Sequence, residues 1–328
     1  MSIVVLLNTT GKEKVDEIIC GIIGIFETVF PDRIRGYYLT GSYSDGSAVT
    51  TSDIDIYIVF KDSFTNGEEV LARQLWLYCR QICFVKIDLI RINEERLLRV
   101  GNIGVKLATL LMYGEDIREK IPLPVFDTYL QGVTEASFSY LAGALRDADS
   151  LVFPLDYPDP AGVFYGYDAK DWGTETKGLV SSVCRAATAI VALKGGRYVG
   201  KKSDSIKSYK DCINDEWTGF LEEMYEEGRE RWGYRIPEDA VERDRLRELC
   251  RRTLAFENHY LSIYREYLLA QLRREDDSCR LFAVKRLGET IYADEEIIDA
   301  LRADESRGGE ELRQAVQETM QKMRSVAI

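Results

Sequence analysis

Histidine is nearly absent from this chain of 328 residues: the single copy is His259, within FENHYLSIY. That segment has a helical pattern, so chemistry that depends on a catalytic histidine is not expected. Basic charge is in deficit as well. Lys and Arg total 43 against 55 Asp and Glu, a net charge of −12. Surfaces that bind duplex or RNA are built from Lys and Arg, so this balance argues against a nucleic-acid partner. It is compatible with a small cationic one. No run reaches the roughly 18 apolar residues that span a bilayer. The N-terminal MSIVVLLN is apolar but short and lacks the basic start of a signal peptide. No membrane partner is expected, and the expected location is the cytoplasm. The cysteines number seven, an odd count, and most lie in apolar helical surroundings, so no disulfide framework is implied. Cys79 and Cys83 share a helix face, but no second pair follows at metal-ligand spacing.

What the chain does have is the stretch 38–60, YLTGSYSDGSAVTTSDIDIYIVF. An apolar strand leads into Gly41-Ser42. Some ten residues later Asp53-Ile54-Asp55 opens a second apolar strand. Strand side chains alternate faces, so Asp53 and Asp55 point one way and Ile54 and Ile56 the other, into a core. Two carboxylates on one edge suit magnesium, a hard cation that completes its shell with phosphate oxygens and water. Two such ions, about 3.5–4 Å apart, clamp the attacking and leaving oxygens of an in-line displacement. A third carboxylate is then expected from a neighbouring strand, and FVKIDLI supplies Asp88. Residues 68–83 read as the intervening helix, with Leu71, Leu75, Tyr78 and Ile82 as its apolar stripe. A lone Asp-x-Asp is ordinarily a solvated strand face, and a Gly-Ser pair an ordinary turn. Their conjunction with a third aspartate on the next strand points to nucleotidyl transfer. Gly41 and Ser42 are expected to bring backbone N–H groups and a hydroxyl against a triphosphate.

This stretch resembles the nucleotidyltransferase (DNA polymerase β-like) superfamily. Within it, GSYSDGSAVTTSDIDI is most similar to the streptomycin/spectinomycin-type aminoglycoside adenylyltransferases. The resemblance implies an α+β fold: an N-terminal nucleotidyltransferase domain, with a mixed sheet and flanking helices, followed by a C-terminal α-helical domain. It also implies a magnesium-dependent antibiotic-resistance enzyme with ATP as co-substrate and a small-molecule acceptor. A second stretch, DWGTETKGLVSSVCRAATAIVALKGGRYVGKK (171–202), resembles the helix and basic loop of the same enzymes. By that resemblance Arg185 and Lys201 face the nucleotide phosphates, with Lys202 and Arg197 as alternatives to Lys201. Asp171 and Glu175 match positions that contact the aminoglycoside. The chain departs from those enzymes at its third carboxylate, Asp88, where they carry Glu. The interval from Arg185 to Lys201 is also about one helical turn longer. Acceptors other than an aminoglycoside remain open, among them a tRNA end, a protein side chain or a second nucleotide. A non-catalytic nucleotide-binding relative remains open too.

The organisation expected is a catalytic domain over residues 1–127, a helical substrate- and nucleotide-binding domain over 128–275, and an extension over 276–328 with no assigned role. Residues 11–30 read as an amphipathic helix carrying Val15, Ile18, Ile19, Ile22 and Ile23. Strands are expected at about 36–40, 54–60 and 84–92, then helix from 93 to 114. Pro122 and Pro124 mark the break between domains. The segment 164–172, FYGYDAKDW, is expected near a cleft between them. Gly195-Gly196 stops the helix that carries Arg185. RLFAVKRL (280–287) reads as a strand, and two polar helices follow it.

Overall fold

The computed structural model describes residues 4–168, 175–292 and 294–326. The chain divides into two compact units, Met1–Tyr129 and Leu130–Ile328.

The first unit is a four-stranded mixed sheet of β1 (Ile34–Thr40), β2 (Ile54–Phe60), β3 (Ile87–Asn93) and β4 (Leu110–Gly114), in the order β3-β2-β1-β4. β1 runs antiparallel to both β2 and β4, and β2 runs parallel to β3. The two faces follow from strand alternation. Ile54, Ile56 and Ile58 pack with Tyr37 and Leu39 against Ile19, Ile22, Ile23 and Phe26 of α1 (Glu13–Val29). Tyr38 and Val59 point the other way, to Leu97 of α3 (Glu94–Val100) and Val105 of α4 (Ile103–Leu107). Asp55 is two residues from Tyr57 and four from Val59, so it belongs to this second face.

The helix between β2 and β3 forms as expected, as α2 (Glu68–Ile82), but of the expected stripe only Leu75 packs against the core. Ala72 and Cys79 are buried with Leu75 and Trp76 against the core, whereas Leu71, Tyr78 and Ile82 are exposed. The cause is an anchor: the Trp76 indole N–H donates to the Ile87 carbonyl of β3 at 3.0 Å. This fixes the helix rotation with the small Ala72 and the Cys79 thiol against the sheet. The span 93–114 is not one helix. It breaks at Gly101, whose φ of 76° is left-handed, and restarts under the Asn102 cap, which accepts from Val105 N at 2.9 Å. Its end, Leu110–Gly114, joins the sheet as β4.

The second unit is mainly helical, and its helices include most of α5 (Phe126–Ser139) and all of α8 (Thr218–Tyr225). Its centre is α6 (Lys177–Gly195), packed on α7 (Lys202–Cys212) and on the 33-residue α9 (Ala240–Leu272). Among the described residues α6 is the one helix long and apolar enough to cross a membrane, and most of it is buried inside the unit. A helix apolar on all sides is also what the core of a large domain selects. The glycine pair ends it as expected, with Gly196 in the left-handed conformation. Residues 280–287 are helical, not extended: they lie in α10 (Asp277–Leu287), capped by Asp276. Arg280, Ala283, Val284 and Leu287 are its buried set, which is i, i+3, i+4, i+7 spacing. The short strand of this region is instead Thr290–Tyr292, paired in parallel with Leu151–Phe153. The polar helices Glu295–Arg307 and Glu310–Val326 follow, so residues after 276 are an integral part of the second unit.

Candidate active site

β1 ends at Thr40, and Gly41 turns the chain with φ 69° into a single helical turn, Gly41–Tyr43. Ser44 closes that turn twice, donating its backbone N–H (3.1 Å) and its hydroxyl (2.7 Å) to the Gly41 carbonyl. The loop then returns through Ser52, whose buried side chain accepts from Val49 N at 3.0 Å. The Lys86 carbonyl accepts from Ile54 N at 2.9 Å and opens the parallel ladder.

In that ladder Asp55 is the direct partner of Asp88. Carboxylate oxygens of Asp53, Asp55 and Asp88 all lie within 4.8 Å of one another, each side chain half-buried. Hard oxygen donors this close match magnesium, so the three aspartates expected from the sequence fit the ion they were assigned to. Gly41 completes the cradle: a β-carbon there would stand 2.7 Å from Asp55 Oδ2. Ser42 lies in the same turn.

Three neighbours were not singled out from the sequence. The Lys86 ammonium is 3.8 Å from Asp53 Oδ2 and 3.6 Å from Asp88 Oδ2. Tyr43 is buried in the turn, and burial with the nearby Asp53 charge pushes its phenol up. Tyr57 is shifted the same way by burial and by Asp55. The signal for Lys86 was present: it stands two residues before Asp88 in an extended segment, and so on the same face.

In the second unit, Arg185 is an exposed position on the mostly buried α6, with its guanidinium carbon 5.3 Å from the Tyr140 ring centre. A cleft of about 200 Å³ brings Arg185 together with Lys201 and Lys202, lined also by Ser137, Thr188 and Val199. Arg197 is exposed and does not line it. The Lys202 ammonium donates to Ser181 Oγ at 2.8 Å. Glu175 accepts from Ile236 N through Oε2 at 2.6 Å. Asp171, with the end of the aromatic segment 164–172, lies outside the described residues. His259 is packed with Trp217 and Phe256 and stands 3.8 Å from Asp215 Oδ2. Burial, partly opposed by Asp215, pulls its pKa down.

Comparison with known proteins gives one family. The family model described as polymerase beta, nucleotidyltransferase matches residues 22–104, from α1 through all three aspartates into α4. No curated protein matches the chain in sequence. Among solved structures, the chain is similar to spectinomycin adenyltransferase AAD(9) from Enterococcus faecialis, solved with ATP and spectinomycin. The identity is 13% and the TM-score 0.45, over 75% of this chain and 98% of that one. The N-terminal unit is a nucleotidyltransferase enzyme domain, joined to a helical C-terminal region.

Proposed function

We propose that this nucleotidyltransferase transfers a nucleoside monophosphate, AMP from ATP, to a hydroxyl of a small cationic acceptor such as an aminoglycoside, with release of pyrophosphate. The observation that carries the transfer chemistry is the triad Asp53, Asp55 and Asp88, set beside a left-handed glycine turn within the matched nucleotidyltransferase region. Asp53 and Asp55 hold magnesium, two ions in this reading, and Asp88 completes the set. The bound ions supply charge neutralisation for the triphosphate. Gly41 lets the backbone approach the phosphates because it has no side chain to intervene, and Ser42 adds a hydroxyl donor.

Asp88 also takes the proton of the acceptor hydroxyl. Arg185 and Lys201 bring positive charge to the triphosphate, which offsets the charge that develops on it during transfer. Their presence in one cleft with Lys202 supports the assignment. Asp171 and Glu175 are assigned to the acceptor, since carboxylates pair with amines through charge-assisted hydrogen bonds. The resemblance of GSYSDGSAVTTSDIDI to the streptomycin/spectinomycin enzymes favours a cationic acceptor, and the chain's net charge of −12 is compatible with one.

The test is incubation of the purified protein with each nucleoside triphosphate, magnesium and a panel of aminoglycosides, reading pyrophosphate and product mass. A product heavier than the aminoglycoside by one nucleoside monophosphate is expected with ATP. Pyrophosphate release only on addition of tRNA, protein or a second nucleotide moves the acceptor to that class. No pyrophosphate with any acceptor leaves a nucleotide-binding relative without transfer activity.

A further inference from the structure

We propose that Lys86 is a built-in counter-cation of the carboxylate triad, and that it makes metal loading depend on the nucleotide. This rests on the reading of Asp53, Asp55 and Asp88 as the magnesium site. Three carboxylates with oxygens within 4.8 Å of one another repel strongly when no cation is near. Lys86 provides one. From the residue just before β3, its ammonium stands 3.8 Å from Asp53 Oδ2 and 3.6 Å from Asp88 Oδ2. Both distances exceed an N–H···O hydrogen bond, so the contact is one of charge and leaving it breaks no bond. The side chain is 41% exposed, and a lysine stem is long and flexible, so the ammonium has room to swing out.

Two consequences follow. A divalent cation entering alone meets a like charge already seated against two of its three ligands, so metal alone binds weakly. A nucleoside triphosphate arriving with the metal carries enough negative charge to draw the ammonium onto its phosphate oxygens, and the opposition ends. Lys86 is thus a positioning residue that favours the metal–nucleotide pair over the bare ion.

The test is Mn²⁺ binding to the whole protein, followed by electron paramagnetic resonance of the free ion, with and without a non-hydrolysable ATP analogue. Wild type, Lys86→Met, Lys86→Gln, Lys86→Arg and Asp53→Asn are compared, with thermal melting to confirm folding. Without nucleotide, Lys86→Met and Lys86→Gln are expected to bind Mn²⁺ about tenfold more tightly than wild type, the scale of one partly screened charge at this distance. Lys86→Arg keeps the charge and stays near wild type. With the analogue present the difference closes to about twofold or less. Equal nucleotide-free affinity in wild type and both neutral variants, with Asp53→Asn still losing Mn²⁺, overturns the role of Lys86 and leaves the metal site standing. Mn²⁺ binding unaffected by Asp53→Asn overturns the metal site and this proposal with it. A tenfold difference that persists with the analogue overturns the coupling to nucleotide.

Discussion

Gly41 and Asp55 are in such close approach that a β-carbon on the glycine would lie 2.7 Å from the aspartate Oδ2. The glycine also has φ 69°, a conformation that costs an L-residue about 1–2 kcal/mol. Gly41→Ala is therefore expected to lose about that much stability and to displace the Asp55 carboxylate. Nucleotide-dependent pyrophosphate release should fall by about 100-fold or more, the cost of a misplaced reacting group. Kinetics alongside a urea unfolding curve check this. Wild-type turnover in a folded variant would show that the close approach has no part in catalysis.

Asp53→Asn and Asp55→Asn each remove one negative charge from the triad and keep the side-chain shape. Loss of an anionic metal ligand is expected to lower turnover by about 10³-fold, consistent with the several kcal/mol that such ions supply. The melting temperature should hold or rise, because repulsion among the three carboxylates falls. Full activity in either variant, or unfolding of both, contradicts the assignment.

Much of this site was legible because it obeys period-2 alternation. Ile54, Ile56 and Ile58 enter one core while Asp55 and Tyr57 take the other face, as DIDIYIV states directly. What was not legible depended on single tertiary contacts. Tyr78 and Ile82 look like the buried face of α2 until the Trp76–Ile87 hydrogen bond rotates the helix away from them. Leu110–Gly114 continues an apolar pattern that reads as helix, and only the free edge of β1 makes it a strand. RLFAVKRL alternates enough to suggest a strand, yet its buried positions have helical spacing and Asp276 caps it. In the first two cases local pattern gave way to what the neighbouring element offered, while in the third the helical spacing and the cap were themselves local signals.

Arg33 and Glu68 join the start of β1 to the start of α2, with Arg33 Nε 2.6 Å from Glu68 Oε1 and Thr65 N donating to Oε2 at 2.8 Å. The Arg33 hydrogen bond is the main cause that lowers the Glu68 carboxyl from 4.5 to about 2. A lowered carboxyl stabilises the fold above its unfolded value and loses that contribution as pH falls through the folded one. Glu68→Gln is therefore expected to cost about 1 kcal/mol at pH 7. The difference from wild type should shrink between pH 4.5 and about 2. Chemical denaturation across that range measures it, and a pH-independent difference would contradict the ion pair.

Glu257 is fully buried in the second unit, where it accepts from Arg146 (2.8 Å), Tyr167 (2.9 Å) and Ser182 (2.5 Å). These contacts tie α9 and α6 to the segments around residues 146 and 167. Glu257→Ala leaves three donors without their acceptor and Arg146 without its ion-pair partner. The expected loss is about 3–5 kcal/mol, the scale for breaking one side of a buried pair. A loss under about 1 kcal/mol in urea unfolding would mean that water replaces the carboxylate at little cost.

The acceptor assignment is tested through Asp171 and Glu175, and the two need different treatment. Glu175 already accepts a backbone hydrogen bond from Ile236 N. Glu175→Gln keeps an oxygen that can accept it, so the local fold is expected to hold while the charge is lost. Asp171→Asn keeps the side-chain shape and removes its charge. If the pair faces an amine, the double variant should raise the acceptor KM by about tenfold or more and leave nucleotide affinity unchanged, since charge-assisted bonds are about twice as strong as neutral ones. The effect should weaken as salt rises if the contact is exposed. The single variants separate the two residues: a raised KM in Glu175→Gln with an unchanged melting temperature is expected of lost charge, whereas a raised KM with a lowered melting temperature points to a disturbed Glu175–Ile236 contact. An unchanged KM in the double variant, with wild type active on the same acceptor, removes both carboxylates from the acceptor site.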